Sequence, residues 1–132
     1  FTITPDRTIE RAASLMTQHK IGCLPVLDGD RSVIGMLTQI DLLSAFQEML
    51  GFPAQGIRVT MRMPDKQGQF IRMAAVMVEQ GWGVMGIGSF PSPRHPGFYD
   101  VMVKIPYVTA EEVRRALSTV EGQEIVDLRE TA

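Results

Sequence analysis

The sequence is poor in the residue types that do chemistry. It has one cysteine, Cys23, so no internal disulfide can form, and a reducing cytoplasm is the expected setting. It has two histidines, His19 and His95, and neither has an Asp or Glu at metal-ligand spacing, which argues against a zinc site. No Walker loop, dinucleotide fingerprint or nucleophile elbow occurs, so no enzyme and no required cofactor are expected. Basic residues are not in excess: 13 Lys and Arg face 15 Asp and Glu, a net charge of −2, which disfavours a nucleic-acid partner. No apolar run approaches the ~20 residues that cross a bilayer, and no secretory signal is visible. No membrane association is therefore expected. The first residue is Phe1 rather than Met, and the chain reads as a piece of a longer or processed protein.

What is present is ordinary folding material. The 132 residues are 45% hydrophobic and 21% charged, enough for one ordinary domain or two small ones. Two segments of unlike pattern follow each other, with no internal repeat. In residues 1–50, Thr8 is an N-cap candidate for a helix carrying Ile9, Ala12, Ala13 and Met16 on one face, ending near Lys20 and Gly22. Residues 23–27 are a short apolar run whose Pro25 predicts an edge strand or an irregular end. Asp28-Gly29-Asp30 marks a turn, and 33–37 the returning strand. Thr38 then opens a second helix with Ile40, Leu43, Phe46 and Leu50 as its buried stripe, stopped by Gly51. Residues 51–56 read as a linker, with two glycines and a proline.

Residues 57–130 predict the order βαββαβ. Ile57, Val59, Met61 and Met63 alternate with polar residues as a half-buried strand. After the loop at 64–68, Phe70, Met73, Ala74 and Met77 give a helix face that Gly81 should cap. Val84, Met85 and Ile87 begin a second strand, and 91–97, with three prolines, predicts a mobile hairpin loop. Val101, Val103 and Ile105 form a third strand. Thr109 and Glu112 are a capping-box pattern before a helix carrying Val113, Ala116, Leu117 and Val120. Residues 125–128 close as a fourth strand. The nine methionines fall mostly at core positions, where soft side chains fill gaps. Cys23 is expected to be a small buried apolar residue. Glu111, Glu112, Arg114 and Arg115 read as a solvated helix face, and Trp82 fits either a core edge or an interface. The fold class is α+β.

One spacing carries a candidate site. Thr38-Gln39-Ile40-Asp41 puts a hydroxyl and a carboxylate three residues apart at a helix start. An ionised carboxylate can accept both hydroxyls of a cis-diol, while a Thr hydroxyl and open helix-start amides suit a phosphate. The same pair also reads as a helix cap, Thr38 at N-cap and Asp41 at N3, and the two roles are compatible.

Four elements in order make residues 1–50 resemble a CBS domain, a regulatory adenosyl-ligand module found mostly in pairs. They are Thr4-Pro5-Asp6, Ala12-Ala13-x-Leu15-Met16, Ile21-Gly22-x-Leu24-Pro25-Val26, and Val33-Ile34-Gly35-x-Leu37-Thr38-x-x-Asp41. The resemblance implies that Thr38 and Asp41 face ribose and phosphate. It also implies that adenine lies along Ile21, Gly22, Cys23, Leu24 and Pro25 and the entry at Ile3 and Thr4. The ligand would be of the AMP, ATP or S-adenosylmethionine type. Some nucleotide-binding members carry basic side chains where this chain has Gly22 and Cys23, so a monophosphate or poorly charged adenosyl ligand fits more easily than a triphosphate. Lys20, Arg7 and Arg31 read as solvated surface. Only one such motif is present, and a lone unit leaves a face that normally packs on a second.

Residues 57–128 resemble an ACT domain, a ferredoxin-like module that often binds amino acids at a subunit interface. The resemblance rests on the βαββαβ order, on Asp65-x-x-Gly68 and on Gly81. It implies an amino-acid ligand at Asp65, Gly68, Gln69 and Phe70, with Asp65 toward an ammonium group and the amides at 68–70 toward a carboxylate. This chain has Gln67 where the motif commonly has Pro, and a plain turn is the competing reading. CBS followed by ACT is the arrangement of acetoin-utilisation-type proteins. The expectation is a non-catalytic sensory homodimer; the alternatives are a purely structural oligomerisation module or the regulatory region of a larger enzyme or transporter.

Overall fold

The computed structural model describes residues 1–131. The chain divides into two compact units, Phe1–Phe46 and one beginning at Gln47. The division falls inside the second helix, a few residues before the linker drawn from composition.

In the first unit, helix α1 (Ile9–His19) starts where Thr8 accepts a hydrogen bond from the Arg11 amide at 3.3 Å. It ends at Lys20, which adopts the left-handed conformation with φ of 53°. Strand β1 (Cys23–Leu27) pairs antiparallel with β2 (Val33–Thr38). Between them Asp28 folds the turn by accepting from the amides of Asp30 and Ser32 at 2.9 and 3.1 Å, the local competition that makes Asp a turn residue. The entering chain joins as a short parallel third member. The Ile3 amide donates to the Pro25 carbonyl at 3.1 Å and the Leu27 amide to the Ile3 carbonyl at 2.9 Å. Ile3, Ala12, Met16 and Leu24 form the core, flanked by half-buried Leu15, Ile21, Val26, Leu37 and Leu42.

Helix α2 (Gln39–Met49) departs from the expected stripe. Ile40, Leu43 and Phe46 are 69%, 60% and 56% exposed, and none of its residues is buried. Leu42 and Ala45 are half-buried instead, so the face turned inward is one position round the helix from the predicted one. Cys23 is exposed rather than buried. Side chains alternate along a strand; Leu24 takes the core face of β1, which puts Cys23 on the other.

The second unit is a four-stranded antiparallel sheet in the order β4-β5-β3-β6, with the βαββαβ chain order expected from the sequence. Its elements are β3 (Gly56–Pro64), α3 (Gln69–Gln80), β4 (Gly86–Pro91), β5 (Phe98–Ile105), α4 (Ala110–Leu117) and β6 (Glu124–Thr131). Ile57, Val59, Met61 and Met63 of β3 share a core with Val101, Val103 and Ile105 of β5, Met73 and Met77 of α3, and Val113 and Leu117 of α4. Each such side chain removed from water contributes about 1.5–3 kcal/mol. Gly81 caps α3 in the left-handed conformation, as read, and Thr109 accepts from the Glu112 amide at 3.1 Å. Trp82 packs against the edge of this core. Four expectations shift: Phe70 is 42% exposed, Val84 and Met85 precede β4, Val120 is buried but lies beyond the end of α4, and β6 is longer at both ends than predicted. Phe70 lies at the start of α3, with Met73 and Met77 taking the buried face.

The other face of the sheet is also covered along β5, where every residue from Asp100 to Ile105 is buried. Lys104 is fully buried there and its ammonium group donates to the Gly51 carbonyl at 3.3 Å. Gly51 and Leu50 lie against the strand backbone: a Cβ on Gly86 would stand 2.4 Å from the Leu50 carbonyl carbon. At the far end of β3, Arg62 bonds to Asp100 at 3.2 Å and Ser92 at 2.8 Å, and its guanidinium meets the His95 ring at 3.3 Å. The proline-rich hairpin is thus tied to the sheet by one partly buried arginine.

Gly86→Ala should lower the urea-unfolding free energy of this unit by about 1–3 kcal/mol, the usual cost of overpacking. Gly83→Ala, where a Cβ meets open space, should stay within about 0.5 kcal/mol of wild type.

Candidate functional site

Thr38 ends β2 opposite Cys23, and Gln39 continues the pairing through its amide to the Gly22 carbonyl at 3.0 Å. The strand therefore delivers Thr38 directly into the first turn of α2. There the pair closes on itself. Asp41 Oδ2 accepts from the Thr38 amide at 2.7 Å and from the Thr38 hydroxyl at 3.0 Å, while Thr38 Oγ1 accepts from the Asp41 amide at 3.2 Å. This is a reciprocal capping box. Asp41 is exposed, and its Oδ1 makes no hydrogen bond to the described residues. One carboxylate oxygen thus serves the helix, and the other is left unbonded among the described residues. The Thr38 hydroxyl already donates to Asp41, so to donate to a phosphate oxygen it must first turn away.

The rest of the predicted set falls in two groups. Gly22 and Cys23 stand beside Gln39 and Thr38, at the mouth of the β1–β2 pair. Ile3, Thr4 and Pro25 gather where the entering chain meets β1. Ile21 is half-buried, and Leu24 is fully buried, so its side chain serves the core. The Gly22 and Pro25 carbonyls are each bonded to an amide but keep a second lone pair. Thr4 is exposed and its hydroxyl donates to Asp6 Oδ1. That bond and then the backbone amide of Asp6 itself hold the Asp6 carboxyl below the ordinary carboxylate range, against an opposing desolvation that outweighs the added pull of the Arg7 charge.

Two recesses flank this unit's core. One, of about 370 Å³, is lined by Thr2, Ile3, Thr4, Arg7, Arg11 and Leu15. It includes Ile3 and Thr4 from the expected set, but not Thr38 or Asp41. Sequence reasoning missed Arg11, whose only signal was its spacing of four from Arg7. The other, about 450 Å³ and mostly apolar, runs between α1 and α2 along Met16, Leu42, Leu43 and Phe46.

In the second unit, Gly68 adopts φ of 83° and precedes α3 with no side-chain cap. Asp65, Gln69 and Phe70 line a recess of about 140 Å³ together with Lys66, Ser89 and Tyr99; Gly68 does not line it. Ligand sites commonly measure about 300–1,000 Å³, so this one takes only a small ligand in its present shape. Gln69 is held by Gln123, whose amide donates to the Gln69 carbonyl at 2.8 Å. Ser89 and Tyr99 were not legible beforehand, because they arrive on β4 and β5 through the sheet; Lys66 lies in the same loop as Asp65 and was passed over. Among the described residues no group of three His, Cys, Asp or Glu is placed to hold a metal ion, and no helix is long and apolar enough to cross a membrane.

Residues 1–48 match the family model for the CBS domain. A homoserine O-acetyltransferase of Methanohalobium evestigatum is 47% identical over 47 residues, covering 36% of this chain and 10% of that protein. A homoserine O-acetyltransferase of Methanosphaerula palustris is 54% identical over 37 residues, 28% of this chain and 8% of that protein. The CBS domain-containing protein YhcV of Bacillus subtilis is 48% identical over 42 residues, 31% of this chain and 29% of that protein. The chain thus spans from under a tenth to under a third of the length of these curated relatives. A CBS domain is found at residues 1–48, and such domains are generally regulatory and non-catalytic.

Two outcomes follow from the local geometry. Thr38→Ala should cost about 1 kcal/mol through loss of the cap, read as a lower unfolding midpoint and faster amide exchange in the first turn of α2. Thr4→Ala should raise the Asp6 titration midpoint toward its ordinary value, read by carboxyl NMR. Because the folded carboxyl is held low, its contribution is complete above the ordinary carboxylate range and is lost as pH falls through the folded value. The variant should lose the part of that acid-side dependence that the Thr4 hydroxyl supplies, the largest of the lowering effects.

Proposed function

We propose that residues 1–48 form a ligand-sensing CBS module for an adenosyl compound, with Asp41 gripping the ribose. The observation that carries this reading is the divided Asp41 carboxylate: Oδ2 is spent on the capping box, and Oδ1 makes no hydrogen bond to the described residues, on a helix start whose strand pairs with Gly22 and Cys23. A diol needs only one such oxygen to gain a charge-assisted bond. The absence of basic side chains at positions 22 and 23 favours AMP or S-adenosylmethionine over ATP.

The βαββαβ order and the strand order β4-β5-β3-β6 support reading the second unit as a ferredoxin-like, ACT-type module. Its recess at Asp65, Gln69 and Phe70 suits a small amino acid, with Lys66 toward the carboxylate and Asp65 toward the ammonium group. Ligand binding acts by favouring one arrangement of subunits, which requires different affinity in the two arrangements. The cytoplasm is the proposed setting.

A second reading has its own observation. The exposed run Ile40, Leu43, Phe46 and Met49 along α2 suits packing on another CBS motif, so the chain serves as an oligomerisation module. That partner motif lies in a second copy of the chain or elsewhere in a longer protein. The short coverage of the acetyltransferase relatives supports a place in a larger enzyme.

Calorimetric titration with AMP, ATP and S-adenosylmethionine separates the readings. The sensor reading expects saturable binding of at least one, weakened about tenfold or more in Asp41→Asn, the scale of a bond to a charged group. A ligand at 100 times its Kd also stabilises the fold by about 2.7 kcal/mol. Unchanged affinity in Asp41→Asn removes Asp41 from the site. A flat response to every compound, with light scattering above the 14.7 kDa of one chain, favours oligomerisation.

A further inference from the structure

We propose that the recess between the N-terminal segment and α1 is an oxyanion site, binding a phosphate-bearing small molecule through Arg7 and Arg11. It shares Ile3 and Thr4 with the expected adenosyl set but not the ribose pair, since neither Thr38 nor Asp41 lines it. Three observations converge there. The first is shape: the recess is about 370 Å³, within the range of small-molecule sites and larger than a lone phosphate needs. The second is charge. Two guanidinium groups line one concavity, together with the hydroxyl-bearing Thr2 and Thr4. The turn closed by the Arg7 amide on the Thr4 carbonyl at 3.1 Å folds the segment back so that Arg7 joins Arg11 in the lining.

The third is the state of those groups. Arg58, Arg62, Arg115 and Arg129 each pair with a carboxylate, whereas among the described residues Arg31, Arg72, Arg94 and Arg114, like Arg7 and Arg11, do not; of the unpaired arginines Arg7 and Arg11 are the two that line this recess. Among the described residues Arg7 and Arg11 have no ion pair within 4.0 Å and no side-chain hydrogen bond from their guanidinium groups. The acids nearest in sequence, Asp6 and Glu10, do not line the recess; the Asp6 carboxylate is held by the Thr4 hydroxyl and lies within electrostatic reach of Arg7, with no ion pair formed. Guanidinium groups present paired donors whose geometry matches phosphate oxygens. The positive end of α1, which begins at Ile9, adds to the attraction.

The test is titration of the whole chain with pyrophosphate at constant ionic strength, followed by calorimetry and amide NMR. Wild type should saturate, with shifts centred on residues 2–11. Arg7→Gln and Arg11→Gln should each weaken binding about tenfold or more. Lys20→Gln and Arg31→Gln, cations of the same unit outside the recess, should change it less than about twofold. Circular dichroism checks that every variant folds. Equal losses in the control variants, or a response without saturation, overturns the site as mere surface charge. Asp41→Asn should leave pyrophosphate affinity unchanged; if it abolishes binding, the anion sits at α2 and the proposal falls. Pyrophosphate binding with no adenosyl binding keeps this site and discards the sensor reading.

Discussion

At the amide end of α2, helix capping and the proposed ligand contact draw on the same atoms. A helix start leaves amides without partners, and the chain satisfies part of that demand with Thr38 and Asp41. The cap is closed in both directions, through Asp41 Oδ2 and Thr38 Oγ1. Any ligand that uses the hydroxyl must replace a bond already made, so its net gain is smaller than the contact alone. A ligand that uses Asp41 Oδ1 faces no such exchange. Under the proposed reading, the junction would favour a diol over a phosphate, without any change in the helix.

Much of this was legible from local pattern. Thr8, Gly81 and Thr109 announced helix ends because capping depends on neighbouring residues alone. Period-two alternation placed Ile57, Val59, Met61 and Met63 on one face of β3. What failed was direction about a helix axis. The apolar residues of α2 occur all round it, so the periodicity of Ile40, Leu43 and Phe46 could not say which of several stripes faces inward. Leu42 does, because it is the one that reaches the core of Ile3, Ala12, Met16 and Leu24. Cys23 was misplaced for a related reason: residue type suggested burial, while its place one residue from Leu24 decided otherwise. The candidate site was legible as a capping pair but not as a shape. The recess at Arg7 and Arg11 joins residues from a turn and a helix whose approach is set by the Arg7–Thr4 hydrogen bond.

The second unit shows how a strand buried on both faces handles a charge. One face of β5 joins the apolar core, and the other carries Asp100 and Lys104, both nearly sealed from water. Burying a charge is costly unless it is bonded. Asp100 meets Arg62, which also gathers Ser92 and His95. Lys104 meets the carbonyl of Gly51, a residue that composition assigns to a linker.

That last contact bears on where the chain can be cut. Proline and glycine mark residues 51–56 as a spacer, and a fragment for separate study would naturally begin at Ile57. Such a fragment would strip an ammonium group of the backbone oxygen that receives it and lay open the strip of β-sheet at Gly86. Dissection of this protein should begin the C-terminal piece no later than Gln47, so that the presumed tether travels with the sheet it shields.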